Sequence, residues 1–411
     1  MATASDTPLP APALRLLAEA PHRLLFFVGA ANVLLAMAWW TLWLINSRWS
    51  LWQMPQPAIP AGWMHAVIMQ YQVLPTFMFG FLLTVFPRWM DLPALTRWHY
   101  LPVGLGLLGG QALTLAGLLG VEHLLFLGLL QTLAGWIAGI VLLLGLLWQE
   151  KRQTTWHAVS CVAALFLGLA GLVLVFAYSY TGNARLMFAA IKFGSFGLLL
   201  PIYFTIAHRM FPFFAGNAVR DYQPWRPIAL LAGFWLFTLM HLGLELIHGY
   251  AWLWLADLPL LAMAGIWLWR GWPGSHAPPL LRVLFLGFAW FPISMFLYSV
   301  QSLWFALDGN FILGRAPAHA LFVGFFGSLL VAMVTRVTQG HSGRPLQLGR
   351  VAGVAFVLMQ VVTVLRVVSE LSADSMKWQV IAGLGWLLAF LPWVLRSGWI
   401  YLSPRADGKP G

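Results

Sequence analysis

Apolar segments about as long as a membrane is thick recur along almost the whole chain and constrain its fold. Of its 411 residues, 61% are hydrophobic and 9% are charged, and a soluble protein of this length would need far more charge. About 20 apolar residues in an α-helix cross roughly 30 Å of hydrocarbon. The composition therefore predicts an all-α polytopic membrane protein. Its basic residues are scattered between the apolar segments and form no nucleic-acid-binding patch.

Twelve segments meet this length requirement, and Pro, Gly, Asn and charged residues separate them. They are predicted at residues 23–45, 63–87, 101–120, 123–148, 156–178, 185–214, 227–247, 250–270, 280–306, 316–338, 348–370 and 378–402. The chain thus divides into an N-terminal segment (1–22), a single transmembrane helical domain (23–402) and a C-terminal tail (403–411). The tail is rich in Pro and Gly and is predicted to be disordered.

The connections between the segments alternate in basic content, and this alternation predicts their orientation. Seventeen of the 23 Lys and Arg residues lie at the termini and connections of one face, four lie at the other, and two lie within segments. Because basic connections stay in the cytoplasm, the face that carries both termini is predicted to be cytoplasmic. We call the two faces cytoplasmic and outer accordingly.

With this orientation, a layer of polar side chains is predicted near the outer face. His65 and His319 each lie about three residues inside the outer end of a segment, which places both at one depth. Neutral imidazoles on facing helices suit the two axial positions of a haem iron. His241 lies somewhat deeper and is a candidate second-metal ligand or distal group. Glu245 is predicted to be the one acid near it. Other polar residues expected in this layer are Lys192 and Ser195.

A second polar layer is predicted at the cytoplasmic ends of the segments. Its members are His208, Arg209, Arg336, His341 and Arg344. His319 and His341 are 22 residues apart, roughly 33 Å along a continuous helix, so they cannot share a metal. Histidines in or beside loops are expected to be solvated: His22, His99, His157, His248 and His276. Pro75, Pro201 and Pro292 are expected to kink the second, sixth and ninth segments.

The stretch from residue 316 to 346 resembles the most distinctive segment of the NnrS family, bacterial haem- and copper-containing membrane proteins linked to nitric oxide stress. The matching positions include His319, Arg336, Gly340, His341, Gly343 and Arg344. Residues 21–35 and 65–89 look like the first two spans of that family. The resemblance implies a haem-binding protein of the bacterial cytoplasmic (inner) membrane, in the nitric oxide or nitrosative stress response, with redox activity as an option. The expected cofactor is one b-type haem with His65 and His319 as candidate axial ligands. If both ligate the iron, the haem is six-coordinate; if His319 alone does, the sixth position is open to a diatomic, with His241 as a distal group.

The chain departs from the family at positions that bear on copper. The family usually has His-Ala-His-Glu at the start of span two, whereas this chain has Val67 and Ile68 as the last two of these residues. A more distant resemblance to haem–copper oxidase subunit I covers residues 65–87 and 193–208, and Ser195 stands where a copper histidine would be expected. These replacements weigh against copper, while the resemblance implies nitric oxide or another diatomic as a ligand of the haem iron.

Two alternative functions are also compatible with the sequence. Kinked helices with Lys192 and Arg366 inside the membrane would suit a polytopic transporter of a small, anionic solute. The lost family ligands Val67, Ile68 and Ser195 would suit a non-catalytic membrane subunit with a degenerate metal site. Bound haem distinguishes a haem-binding protein of the stress response from the transporter, because a transporter should purify colourless. The residues alone leave open whether any reaction is catalysed.

Overall fold

The computed structural model describes residues 13–149 and 155–409 of the chain. Within these residues the secondary structure is helical without a strand, and twelve helices are long and apolar enough to cross a membrane. They are α1 (Pro21–Trp49), α2 (Ala61–Trp89), α3 (Arg97–Leu118), α4 (His123–Gln149), α5 (Trp156–Thr181), α6 (Ala184–Ala218), α7 (Ile228–Leu246), α8 (Tyr250–Gly271), α9 (Pro279–Asp308), α10 (Ala316–His341), α11 (Arg350–Leu371) and α12 (Ser375–Tyr401). The prediction of an all-α polytopic membrane protein is confirmed, and the predicted ends lie within a few residues of the observed ones.

Helices α2, α6 and α10 each contain an unbroken stretch of nine or more buried residues, and we call them the interior helices. Helix α2 packs against α1, α3 and α4, helix α6 packs against α5, α7 and α9, and helix α10 packs against α9, α11 and α12. In their most apolar stretches, 89% of α2 and 83% of α10 are buried, against 33% in α7 and α8. The interior helices can therefore bring polar side chains together, while the outer helices present apolar side chains to lipid.

Each interior helix contains a π-helical segment: Met69–Val73 in α2, Phe193–Leu199 in α6 and Ala320–Gly327 in α10. Pro75 and Pro201 follow the first two segments by two residues. A proline lacks the N–H group that α-helical hydrogen bonding requires, so it favours a locally widened turn. The three segments begin 124 and 127 residues apart, which in both cases corresponds to four spans. Such segments often lie at functional sites.

The two ends of the described chain meet on one face of the bundle. The backbone N–H of Ala13 donates a hydrogen bond to the carbonyl of Leu402 at 2.9 Å. The guanidinium of Arg23, at the start of α1, donates to the carbonyls of Tyr401 and Ser403 at 3.0 and 2.9 Å. These bonds place both ends of the described chain on the face that we call cytoplasmic.

The described part of the C-terminal tail packs on the loop between α10 and α11. The backbone N–H of Ala406 donates to the carbonyl of Ser342, and the guanidinium of Arg405 donates to the carbonyl of His341 at 2.8 Å. Arg405 also pairs with Asp407 and holds the pKa of that carboxyl below its usual range. Disorder of the tail, residues 403–411, stays a prediction; residues 1–12 and 410–411 of the terminal segments lie outside the described chain.

Candidate functional site

The outer ends of α2 and α10 bring His65 and His319 into one region. His319 lies near enough to His65 for the charges of the two rings to be felt if both were protonated, and both rings lie within the same range of the Arg366 guanidinium on α11. Both imidazole side chains are half-buried. We call His65 and His319 the outer histidine pair. The structure thus juxtaposes the two residues that the sequence singles out as candidate axial ligands.

A backbone hydrogen bond orients the His319 ring. Its Nδ1 lies 2.9 Å from the carbonyl oxygen of Arg315, one helical turn earlier. Because a carbonyl oxygen can only accept, Nδ1 carries the hydrogen and donates it, and the lone pair of a neutral imidazole is then on Nε2. Metal-binding histidines are commonly oriented in this way, with one ring nitrogen bonded to a carbonyl and the other free to coordinate.

Aromatic stacking holds the His65 ring. Its plane lies nearly parallel to that of Trp40 on α1, with 4.5 Å between the ring centroids and 9° between the planes. Trp40 stacks in turn on Trp43 at 5.3 Å. In the described parts of the chain the His65 ring has no hydrogen-bond partner. His65 is therefore positioned by packing, and neither of its ring nitrogens has a hydrogen-bond partner among residues 13–149 and 155–409.

Arg366 is the buried cation beside the outer histidine pair. Its guanidinium donates to the hydroxyl of Ser369 at 2.8 Å and to the carboxylate of Glu370 at 2.6 Å. A guanidinium has five N–H donors, so these bonds leave several for other acceptors. Arg315 lies at the same outer end and also interacts electrostatically with His319. The region therefore combines two imidazoles with two cations.

A separate group of charged side chains is buried among α6, α7 and α8. We call its four members, Lys192, His241, Glu245 and Asp257, the charged cluster. The Nζ of Lys192 lies 2.8 Å from Oε1 of Glu245, and Nδ1 of His241 lies 2.5 Å from Oδ1 of Asp257. The expectation that Glu245 is the one acid near His241 is wrong, because Asp257 is fully buried against the same ring. An acid inside the apolar start of α8 was the available sequence signal.

Ser195 joins two interior helices. Its hydroxyl accepts a hydrogen bond from the Gln70 side-chain amide at 3.0 Å and donates one to the carbonyl of Ile191. Nearby, the hydroxyl of Tyr71 donates to the carbonyl of Ala190. Gln70, Tyr71 and Ser195 lie in the π segments of α2 and α6. The residue at the position of the expected copper histidine therefore connects these two segments.

Two pairs of histidines lie at the cytoplasmic ends of the helices. The rings of His22 and His341 are 4.4 Å apart, and Nε2 of His157 lies 2.9 Å from Nδ1 of His208. The prediction that His22 and His157 are solvated is wrong, because both side chains are buried by neighbouring helices. Each buried ring pairs with a histidine that the sequence places in the cytoplasmic layer.

The residues of the family loop motif lie at the opposite end of α10 from His319. The guanidinium of Arg336 packs on the Phe214 ring at 4.0 Å, and that of Arg344 faces the Trp399 ring at 5.6 Å. Gly340 and His341 close the helix, and Gly343 follows with a positive φ of 68°. This motif therefore shapes the cytoplasmic loop and makes no contact with the outer histidine pair among the described residues.

The donor set bears on the kind of cofactor that could bind. Across residues 13–149 and 155–409, no group of three or more His, Cys, Asp or Glu side chains could hold a metal ion. The outer histidine pair offers two imidazoles, which suits an iron whose equatorial ligands come from a porphyrin rather than from the protein. The role of His241 as a second-metal ligand stays a prediction.

Twelve apolar helices, with two histidines brought together at one end of the bundle, define a multi-pass membrane protein with a candidate cofactor site. The family model described as NnrS protein matches residues 16–405 of the chain. The chain therefore belongs to the NnrS family, and this membership indicates a membrane protein related to nitric oxide stress. No match was found among curated proteins.

Proposed function

We propose that this protein binds one haem between His65 and His319 and acts in the nitric oxide or nitrosative stress response of a bacterial inner membrane. The observation that carries the proposal is the outer histidine pair, in which the bond from His319 Nδ1 to the Arg315 carbonyl leaves Nε2 free. Family membership supports the nitric oxide context. The two imidazoles would be the axial ligands of the iron.

The surroundings of the outer histidine pair fit a non-covalently held b-type haem. Arg315, a cation at the same outer end, is suited to a carboxylate of a haem. Trp40 supplies an aromatic face beside His65. Covalent attachment of a c-type haem needs cysteines beside a histidine, and the one cysteine of the chain, Cys161, is buried within α5.

The two histidines differ in how firmly they are held. Haem would supply one-electron chemistry and an iron that can bind a diatomic. Six-coordinate ligation suits electron transfer, and a diatomic would then have to displace one imidazole. His319 is anchored by a backbone hydrogen bond, whereas His65 is held by stacking on Trp40. His65 is therefore the imidazole that we expect to yield to nitric oxide.

Pairing of the intramembrane cations argues against the anion transporter. Lys192 lies 2.8 Å from Glu245, and Arg366 lies 2.6 Å from Glu370. A buried cation whose charge is already balanced attracts a solute anion weakly. Copper forms no part of the proposal, since the His241 Nδ1 faces a carboxylate and Ser195 is hydrogen-bonded between helices.

The test is an absorption spectrum with metal analysis of the detergent-purified protein, expressed with an adequate haem supply. We expect a Soret band and about one iron per chain, as bis-histidine ligation of one haem requires. His319→Ala and His65→Ala should each lose most of the haem while still inserting into the membrane. His276→Ala removes an exposed loop imidazole and should keep the wild-type spectrum. A colourless, metal-free wild type, or full haem in His319→Ala, would refute the assignment.

Addition of nitric oxide to the same sample distinguishes two modes of action. A Soret band that shifts would indicate that an imidazole yields and that the diatomic reaches the iron. A band that stays in place would indicate saturated coordination and an electron-transfer role. In His65→Ala protein that retains some haem, the shift should appear at lower nitric oxide concentration than in the wild type.

A further inference from the structure

The charged cluster has no part in the proposed haem chemistry. His241 and Asp257 are fully buried, Glu245 is 3% exposed, and the Lys192 side chain is 21% exposed. Charged groups inside a membrane protein are expensive to bury, and apolar side chains would join α6, α7 and α8 more stably if packing were their one purpose. The presence of four such groups in one connected cluster therefore points to a function.

A charge count restricts the protonation of the cluster. The Lys192–Glu245 ion pair is neutral as a unit. His241 and Asp257 are also neutral as a unit when Nε2 of His241 carries a hydrogen and one further proton lies between Nδ1 and Oδ1, whichever of those two atoms holds it. Loss of that proton would leave one net negative charge in the hydrocarbon region, and gain of another would leave one net positive charge. The pair is therefore a site for a single exchangeable proton.

Three buried polar atoms in the cluster have no hydrogen-bond partner in the part of the chain that the structure describes. They are Nε2 of His241, Oδ2 of Asp257 and Oε2 of Glu245. Nε2 of His241 lies 3.7 Å from Oε1 of Glu245, which is beyond hydrogen-bond length but within reach of a small side-chain rotation. Purely structural polar clusters normally satisfy their buried atoms. The unbonded Nε2–H of His241 can release a proton, and the unbonded carboxylate oxygens of Asp257 and Glu245 can accept one.

The exposure of the four side chains increases along a path. Asp257 is at the buried end, His241 lies between Asp257 and Glu245, and Glu245 contacts Lys192, the most exposed member. An imidazole can accept a proton at one nitrogen and release one from the other. We propose that His241 and Asp257 form an intramembrane proton-binding site that exchanges its proton with the aqueous phase at the outer face through Glu245 and Lys192.

The other groups around His241 and Asp257 are aromatic, and they exclude water and further charged groups from the pair. The Phe196 ring of the α6 π segment lies 3.8 Å from the His241 ring, and Tyr298 of α9 meets it edge-on at 5.2 Å. The Tyr298 hydroxyl interacts electrostatically with both carboxylates, and Tyr250 interacts with Glu245. Within the described chain, the titratable neighbours of the charged cluster are thus Tyr298 and Tyr250, which leaves a compact system for one proton.

The test is infrared spectroscopy of full-length protein in lipid vesicles, with every aspartate carboxyl isotope-labelled, over a range of pH. Among the aspartates that the structure describes, Asp257 alone is buried. Exposed aspartates should titrate together in acid. We expect the labelled signal of one further aspartate, as a carboxyl or as a perturbed carboxylate, to change in a separate step that exchanges slowly with deuterated water. Asp257→Asn should remove that step, and Lys192→Met should slow its exchange; Asp308→Asn, at the exposed end of α9, should preserve it.

Two results would overturn the proton site: a single acid titration of all labelled carboxyls, or a separate step that persists in Asp257→Asn. The labelled wild type gives a decisive result even if the variants fail to fold. The haem proposal is judged independently by colour and iron content. A colourless protein with the separate carboxyl step would retain the proton site alone, and a haem-containing protein without that step would retain the haem site alone.

Discussion

Gly343 occupies a backbone position that other residues adopt with difficulty. Its φ is 68°, and a Cβ added there would lie 2.6 Å from Cγ of Asp407 in the tail. Gly343→Ala should therefore destabilise the protein by about 1–2 kcal/mol and loosen the tail. Thermal unfolding in detergent and limited proteolysis of the C-terminus would measure both effects. Gly340→Ala, whose nearest contact is 3.8 Å away, is the control; equal stability of the two variants would contradict the prediction.

At the residue scale, the sequence predicts depth but not partners. His65, His319, Lys192 and Glu245 could be assigned to one layer because a helical rise converts sequence position into depth. The place of Asp257 beside His241 could not be predicted, because the two residues lie on different helices and an acid near a helix end is commonly solvated. The contact between His22 and His341 could not be predicted for the same reason, because these two residues lie far apart along the chain.

At the element scale, α3 and α4 pack with their backbones in contact. A Cβ added to Gly106 would lie 2.6 Å from the Cα of Gly135, and a backbone atom cannot rotate away. Gly106→Ala should separate the helices and destabilise the protein by about 1–3 kcal/mol. The measurement is the unfolding temperature in detergent, with Gly145→Ala on α4 as control, because nothing lies within 4 Å of that position. Unchanged stability in Gly106→Ala would argue against this close approach.

The spans themselves could be predicted because their length and composition follow from the thickness of the bilayer. The π segments could not, because one extra residue in a turn leaves an apolar pattern almost unchanged. Pro75 and Pro201 hinted at two of them, and nothing comparable follows the segment of α10. Yet these segments determine the rotation of His65, Lys192 and His319 relative to the rest of their helices. The geometry of the site therefore could not be predicted from the sequence.

At the scale of the whole molecule, the orientation in the membrane can be measured directly. The chain has one cysteine, Cys161, which is fully buried, so a membrane-impermeant thiol reagent should leave the wild type unlabelled. In spheroplasts, Asn310→Cys between α9 and α10 should be labelled. Lys409→Cys in the tail should be labelled after permeabilisation alone, because the basic connections lie on its face. The opposite pattern would reverse the assignment of the two faces.

The spacing of the three π segments divides the bundle into consecutive modules of four spans: α1–α4, α5–α8 and α9–α12. The outer histidine pair draws one ring from the first module and one from the third, together with Arg366. The charged cluster lies wholly within the second module. The outer histidine pair and the charged cluster are therefore genetically separable. A chain divided between α8 and α9 would separate His65 from His319 and would keep all four residues of the charged cluster in one piece. Each could be gained or lost in descent without the other.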